Sequence, residues 1–133
     1  NKKYFEDFIK NKKKNIKNLL MDQNFVSGLG NIYVNEVLFL SKINPLKKCN
    51  YLIKTDIKKI ILNTKLILKL SIFQGGSSIK DFKNTSGENG NFQQFFKVYG
   101  RENEKCSRIS CKGNIKKIFI GNRSSFYCNK CQK

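Results

Sequence analysis

The sequence contains no histidine, and among its 133 residues there are only one proline, one methionine and three arginines. Without histidine, a metal site in this chain has to be built from other ligands. No apolar run is long enough to cross a membrane, and no signal-peptide pattern opens the chain. Because the first residue is Asn1 rather than methionine, we expect a piece or a processed form of a protein, and the thiol-rich end predicts a cytosolic location.

Acidic residues are also scarce, with 9 Asp and Glu against 27 Lys and Arg, so the formal net charge is +18. This excess is larger than solubility requires and predicts a polyanionic partner. AT-rich codon usage would raise the lysine content without any functional demand and accounts for part of the excess. The length fits one compact domain, or a small domain with a stapled appendage.

Five cysteines are present, and Cys49 stands alone as an ordinary buried or half-buried thiol. The others follow the pattern C-x4-C, sixteen residues, C-x2-C, and are Cys106, Cys111, Cys128 and Cys131. Two such knuckles can place four thiolates around one tetrahedral ion, so the pattern predicts a single structural Zn²⁺. Two disulfides, or reduced thiols without a metal, are the alternatives.

Between the cysteine pairs, the segment IKKIFIGNRSSFY predicts a β-hairpin with its turn at Gly121 and Asn122. Arg123 follows the turn directly and therefore lies beside the tip. An arginine held there by a metal site can insert into DNA or clamp a phosphate with two hydrogen bonds. The alternative is a solvated turn arginine.

The rest of the chain has apolar residues at helical spacing, which predicts a mainly α fold. One helix, NIYVNEVLFLS, begins at Asn31 and stops before Pro45. Gly28 and Gly30 precede it, so a ligand backbone can come close to the N–H groups of the helix start, as phosphates do. Alternatively, Asn31 simply caps the helix.

A second long helix is predicted over DIKKIILNTKLILKLSIF, capped by Thr55 or Asp56. It carries one apolar stripe and, nearly opposite, a second stripe formed by Leu62, Leu66 and Leu70. Such a helix is either central or docks one face against a domain that is absent here. Another side of the helix carries Lys54, Lys58, Lys65 and Lys69.

Four stretches in this order resemble the C-terminal half of bacterial formamidopyrimidine-DNA glycosylases: LLMDQNFVSGLGNIYVNEVLFLSKINP, QGGSSIKDF, VYGRE and FYCNKCQK. The resemblance covers essentially the whole chain. It implies a helix–two-turns–helix DNA-binding domain over residues 1–97 and a four-cysteine β-hairpin zinc finger over 98–133. It also implies base-excision repair, in which oxidised purines such as 8-oxoguanine and formamidopyrimidines are removed and the abasic strand is cleaved by β- and δ-elimination.

The same resemblance implies roles for individual residues. Asn31 matches the phosphate-binding asparagine, Lys13 a DNA-contacting lysine, and Arg123 the zinc-finger arginine that grips phosphates beside the flipped nucleotide and takes part in δ-elimination. Further DNA-contacting positions are Gly28, Gly30 and Tyr33. A loop over residues 84–92 matches the segment that closes over the extruded lesion. Its residues are Asn84, Thr85, Ser86, Gly87, Gly90, Asn91 and Phe92.

Two features depart from the family pattern. The first knuckle is C-x4-C rather than C-x2-C, from which we expect a looser turn that still binds the metal. The N-terminal proline–glutamate start that supplies the family's nucleophile is absent, because the single proline, Pro45, has an amide nitrogen. We therefore expect a monomeric DNA-gripping half that needs its N-terminal catalytic domain and acts on lesion-containing duplex DNA in the bacterial cytoplasm, at the nucleoid.

Three other readings remain open at this stage. The chain could be a stand-alone DNA-binding module or a non-catalytic remnant. It could be part of an endonuclease-VIII-type enzyme for oxidised pyrimidines, although FQQFFKVYGRE favours the purine enzyme. A small basic zinc protein of the ribosome would also fit the composition, but the GLGNIY turn and the long helix are not needed to coat RNA.

Overall fold

The computed structural model describes residues 2–9, 12–22, 30–73 and 96–133. The described part is mainly α-helical and carries one small antiparallel hairpin. Its elements are α1 (Lys2–Ile9), α2 (Ile16–Met21), α3 (Asn31–Leu40), a 3-10 turn (Cys49–Tyr51), α4 (Lys54–Phe73), β1 (Ile115–Ile120) and β2 (Arg123–Cys128). No helix in these ranges is long and apolar enough to cross a membrane.

The helix α3 lies at the centre of the described part, because it packs on α2, α4 and β2. Residues 34–39 are all buried, and four of the six are apolar. The helix ends in a Schellman motif, where Ile43 N–H donates to Leu38 O at 3.0 Å and Lys42 adopts φ 59°. The predicted stop before Pro45 is therefore correct, and the cause is this turn.

The first apolar cluster joins the four helices, and its members include Ile16, Leu19, Val37 and Ile60. Complete burial of each such aliphatic side chain contributes about 1.5–3 kcal/mol to the free energy of folding. Cys49 is fully buried in this cluster, as expected of a lone thiol. Burial raises its pKa to about 11, so the thiol stays protonated and behaves as a small apolar side chain.

The helix α4 begins at Lys54, so the prediction that Thr55 or Asp56 caps it is wrong. Asp56 instead lies in the first turn, where its carboxylate accepts the Ile53 N–H at 3.2 Å and pairs with Lys47 at 3.3 Å. This is one of the two hydrogen bonds of a capping box, the one in which a side chain in the first turn accepts the N–H of the N-cap residue. The sequence reveals the pattern only once the first helical residue is known.

The two predicted apolar stripes of α4 have different environments. Of the first stripe, Ile57 and Ile60 are buried, and Ile61 and Leu68 are partly buried against the first apolar cluster. The opposite stripe is exposed, at 67% for Leu62, 46% for Leu66 and 42% for Leu70. The helix therefore lies at the periphery of the described part rather than at its centre.

The hairpin has the predicted turn. Gly121 and Asn122 have φ of 57° and 65°, both in the left-handed region, as a two-residue type I′ turn requires. The strands pair in register from Ile115 opposite Cys128 to Ile120 opposite Arg123. A second apolar cluster, made by Phe39, Val98, Cys106, Ile115, Phe126 and Cys128, joins this hairpin to α3. The division of the chain at residues 97 and 98 stays a prediction.

Two buried polar side chains connect these parts. The Glu36 carboxylate of α3 accepts the N–H groups of Lys97, Val98 and Tyr99 at 2.6–3.1 Å, which anchors the turn that leads to the cysteines. Gln132 accepts the Cys128 N–H at 2.7 Å and donates to Ile43 O at 2.9 Å. The C-terminal end is thereby tied to the loop after α3.

Candidate metal site and nucleic-acid interface

The four predicted cysteines come together in one cluster, with all Sγ atoms within 4.8 Å of one another. The Cys106–Cys131 and Cys111–Cys128 sulfurs are 3.8 and 3.6 Å apart. Four sulfurs at about 2.3 Å from a tetrahedral ion would be separated by about 3.8 Å. A disulfide needs about 2.05 Å, and all five cysteines are free thiols. The donor set therefore fits Zn²⁺, and the disulfide alternative is wrong.

Backbone N–H groups point at the sulfurs, as they do where thiolates bind a metal. Gly113 N–H donates to Cys111 Sγ, and Lys130 N–H donates to Cys128 Sγ, both at 3.5 Å. Burial acts to raise the pKa of Cys128, but the N–H groups of Cys131 and Lys130 and the neighbouring sulfurs outweigh it and bring the pKa to about 7. Burial instead raises the pKa of Cys106 and Cys131, so Cys128 loses its proton more readily than these two cysteines.

A glycine is required next to the cluster. A Cβ atom added at Gly113 would lie 2.5 Å from Cys128 Sγ, a distance that no side chain tolerates. Composition and spacing did not indicate this residue. The sequence does show that Gly113 stands two residues after Cys111. At that position the backbone of a knuckle turns and passes close to the sulfur of the cysteine before it.

Arg123 is the first residue of β2, directly after the turn, and its side chain is exposed. The strand behind it is held to the helices by three hydrogen bonds. Asn31 Nδ2 donates to Ser124 O at 3.1 Å, Lys17 Nζ donates to Ser125 Oγ at 2.7 Å, and Phe126 N–H donates to Asn35 Oδ1 at 2.7 Å. The arginine therefore projects from a strand edge that is fixed on α2 and α3.

Asn31 is the first residue of α3, and the N-cap is Gly30, which offers no side-chain hydrogen bond. The alternative that Asn31 caps the helix is therefore wrong. Its amide instead lies beside the strand that carries Arg123, through the bond to Ser124. The structure thus brings Asn31 together with the strand of Arg123, although the hydrogen-bonded residues Asn31 and Ser124 are 93 positions apart in the chain.

Lys17 is fully buried, which the sequence did not indicate because it is one lysine among many. Its Nζ donates to Ser125 Oγ, and that hydroxyl donates to Arg123 O at 3.3 Å. Burial lowers the pKa of Lys17 from 10.5 to about 8, and the positive charge of Arg123 contributes in the same direction. Two cations thus lie close together at this end of the hairpin, an arrangement that favours an anion nearby.

The remaining predicted DNA-binding residues are spread over two segments. Lys13 is exposed in the loop before α2, and Gly30 is exposed at the start of α3. A Cβ at Gly30 would meet nothing within 4 Å, and its φ of −84° suits any residue. Tyr33 is half-buried and packs against the first apolar cluster. Gly28 and the loop residues 84–92 lie outside the described residues.

Comparison with known proteins gives a consistent result. Residues 1–83 match the family model of the formamidopyrimidine-DNA glycosylase H2TH domain. A formamidopyrimidine-DNA glycosylase of Roseobacter denitrificans is 45% identical over 124 residues, covering 93% of this chain and 44% of its own length. One from Streptococcus mutans is 44% identical over 131 residues, covering 98% and 47%. The chain therefore spans a little under half the length of these relatives.

Solved structures agree in fold. The Lactococcus lactis Fpg in complex with DNA containing an abasic site has a TM-score of 0.86 and 41% identity, over 100% of this chain and 47% of that chain. MutM in complex with DNA containing carbocyclic 8-oxo-G has a TM-score of 0.85 and 40% identity, over 100% and 46%.

Proposed function

Because the chain belongs to the formamidopyrimidine-DNA glycosylase family, we propose that it is the DNA-binding C-terminal half of a bifunctional DNA glycosylase and abasic-site lyase. The substrate class is duplex DNA with oxidised purines, such as 8-oxoguanine and formamidopyrimidine, or with abasic sites. In this proposal the complete enzyme cleaves the abasic strand by β- and δ-elimination and works as a monomer in the bacterial cytoplasm, at the nucleoid.

The observation that carries the proposal is the 3.1 Å hydrogen bond from Asn31 Nδ2 to Ser124 O. It supports a composite phosphate site, because it joins the start of α3 to the strand that projects Arg123. The guanidinium would grip phosphates beside the extruded nucleotide with two hydrogen bonds, and the helix start would face a neighbouring phosphate. The +18 charge supports a polyanionic partner of this kind.

The open space at Gly30 gives further support. Neither its backbone angles nor its described neighbours require glycine there. A DNA backbone that approaches closely would require it, since even a methyl group keeps a phosphate oxygen away from the N–H groups of α3. Lys13, Gly28 and Tyr33 complete the DNA-contacting set in this proposal, and residues 84–92 form the loop that covers the extruded base.

We further propose that Cys106, Cys111, Cys128 and Cys131 bind one structural Zn²⁺, so that residues 98–133 form a zinc finger. The sulfur separations support this ligand set. Four protein ligands leave no open position on the ion, so its contribution is to fold and stiffen the hairpin. Arg123 then acts from a rigid support while the metal takes no part in bond cleavage.

The chain's residues bind and orient DNA in this proposal, and the nucleophile belongs to another segment. Pro45 is buried in the turn after α3, and its nitrogen is an amide. A second function, that of a non-catalytic DNA-binding module, is supported by the same observation.

The test uses the purified 133-residue chain with three duplexes, carrying 8-oxoguanine, a tetrahydrofuran abasic analogue or no lesion, and with a natural abasic-site duplex for nicking in borohydride. We expect tighter binding to the abasic analogue than to the undamaged duplex, without nicking or a trapped adduct. Equal affinity for both would contradict lesion recognition and leave a non-specific module. Nicking with a trapped adduct would show that an amine of this chain is the nucleophile and overturn the proposed division of labour.

A further inference from the structure

The lengthened first knuckle contains one residue that turns back into the molecule. Between Cys106 and Cys111 stand four residues, of which Ile109 is 96% exposed and Ser110 has a left-handed φ of 70°. The turn closes through the Cys111 N–H, which donates to Arg108 O at 3.1 Å. Arg108 is half-buried, and its side chain reaches across to α3.

The guanidinium of Arg108 makes three contacts of different kinds. Nη1 donates to Cys131 Sγ at 2.8 Å, and Nη2 donates to Phe39 O. The Cζ atom lies 3.9 Å from the centre of the Phe39 ring. One planar group therefore links a sulfur of the cluster to both the backbone and the side chain of α3.

Each contact is favourable for a cation. In the proposed zinc site the Cys131 sulfur is a thiolate and thus an anionic acceptor, and a charged donor gives a hydrogen bond about twice as strong as a neutral pair. Phe39 O belongs to the last turn of α3, where the helix dipole favours positive charge. The ring face attracts the guanidinium as well. A lysine would keep the charge but not the planar fork that reaches the sulfur and the carbonyl together.

We propose that Arg108 is a positioning residue of the cysteine cluster, which fixes Cys131 for the metal and fastens the lengthened knuckle to α3. This inference rests on the proposed zinc site. It assigns a use to the C-x4-C spacing, because the longer turn lets an arginine between the two cysteines fold back over Phe39. It also separates the arginines by role, since Arg101 pairs with Glu104 and only Arg123 is left on an exposed hairpin tip.

The test measures how fast the metal leaves. Zinc-loaded wild type, Arg108→Gln and Arg108→Lys are mixed with excess chromogenic chelator, and the cobalt forms are compared by their thiolate-to-metal charge-transfer bands. The matched control is Lys112→Gln, which removes one positive charge from an exposed residue beside Cys111. We expect release about tenfold faster for Arg108→Gln, an intermediate rate for Arg108→Lys, and a rate within about twofold of wild type for the control. The cobalt bands should shift in the Arg108 variants alone.

The results distinguish a failure of the proposed zinc site from a failure of the role proposed for Arg108. If wild type binds no zinc or cobalt, the proposed metal site fails. If wild type binds metal and both Arg108 variants release it as slowly as Lys112→Gln does, the positioning role is overturned while the site stands. Should Arg108→Gln not fold, Arg108→Lys and Phe39→Leu decide, because Phe39→Leu removes the ring but retains the carbonyl; unchanged release from both would overturn the inference.

Discussion

The two apolar clusters among the described residues are stabilised in different ways. The helical cluster is closed almost entirely by aliphatic side chains from four helices. The cluster at the cysteine end is small, and polar contacts surround it, among them Lys17 to Ser125, Phe126 to Asn35 and Gln132 to Ile43. Such a cluster buries too little apolar surface to be stable alone, so it depends on the sulfur site and on α3. The difference explains why the exposed Arg123 can be fixed in space without a large core beneath it.

The largest expected effect comes from removing a metal ligand. If the four cysteines bind one zinc as proposed, Cys128→Ser should lose that ion and unfold the hairpin, while the helical cluster keeps its helical signal, since in that proposal only the cysteine end depends on the ion. Metal stoichiometry and thermal melts followed by far-ultraviolet circular dichroism check this. Cys49→Ser is the control, because that thiol is buried in the helical cluster and should leave the zinc content at one. A Cys128→Ser protein that still binds one equivalent would contradict the four-cysteine site.

The next effect distinguishes two glycines. Gly113→Ala should weaken metal binding strongly, because its Cβ would lie 2.5 Å from Cys128 Sγ. Gly30→Ala should leave metal content and melting temperature unchanged, since its Cβ meets nothing within 4 Å, but should weaken binding to an abasic duplex. Zinc competition titrations and DNA-binding isotherms on both variants measure this. Unimpaired DNA binding by Gly30→Ala would mean that no phosphate approaches the start of α3 closely.

The third effect is a pH dependence. Because burial lowers the pKa of Lys17 to about 8 from 10.5, the unfolded chain binds more protons than the folded one between these values. The wild type should therefore gain stability as pH rises from 8 to 10.5, relative to Lys17→Met, by up to about 1.4 kcal/mol per pH unit. Urea denaturation of the zinc-saturated proteins across this range is the measurement. Lys116→Met, at an exposed position on β1, should run parallel to wild type. A constant gap between wild type and Lys17→Met would show that the lysine is not protonated differently on folding.

A smaller effect on stability is expected at the hairpin tip. Arg123→Gln should melt within about 0.5 kcal/mol of wild type, because the side chain is exposed. Its affinity for the abasic duplex should fall tenfold or more, since a charged hydrogen bond to phosphate is worth about 1.5–3 kcal/mol. A melting temperature that drops as far as that of Cys128→Ser would make the arginine structural instead.

The smallest effect tests the helical half. Lys13→Gln should reduce the slope of the logarithm of the DNA-binding constant against the logarithm of salt concentration by about one, with no change in folding. Lys59→Gln, at an exposed position on α4, is the matched control. An unchanged slope for Lys13→Gln would mark Lys13 as a solvated lysine.

Sequence reasoning succeeded where interactions are local. The Gly121–Asn122 turn and the helical periodicity of α3 depend on neighbouring residues, and the cysteine cluster on residues at most 25 positions apart; all of them are confirmed. It failed at the caps of α3 and α4, where one residue of shift changes which side chain faces the free N–H groups. It also did not find Lys17, Glu36 or Arg108, whose contacts with Ser125, Lys97 and Phe39 join residues 108, 61 and 69 positions apart.

By itself the sequence determined the mainly α class, the hairpin, the cluster of four cysteines and the strong positive charge, because periodicity, turn chemistry and composition act over short distances. Only the tertiary structure decided which lysine is buried, that Asn31 meets the strand of Arg123, and that Arg108 points at a sulfur rather than at solvent. Those choices depend on how α3 packs against β2 and the first knuckle, and on the contact that Lys17 of α2 makes with Ser125. The role of a side chain in such a contact depends on which residue the fold places beside it. Spacing along the chain does not predict that residue, because the two are far apart in sequence.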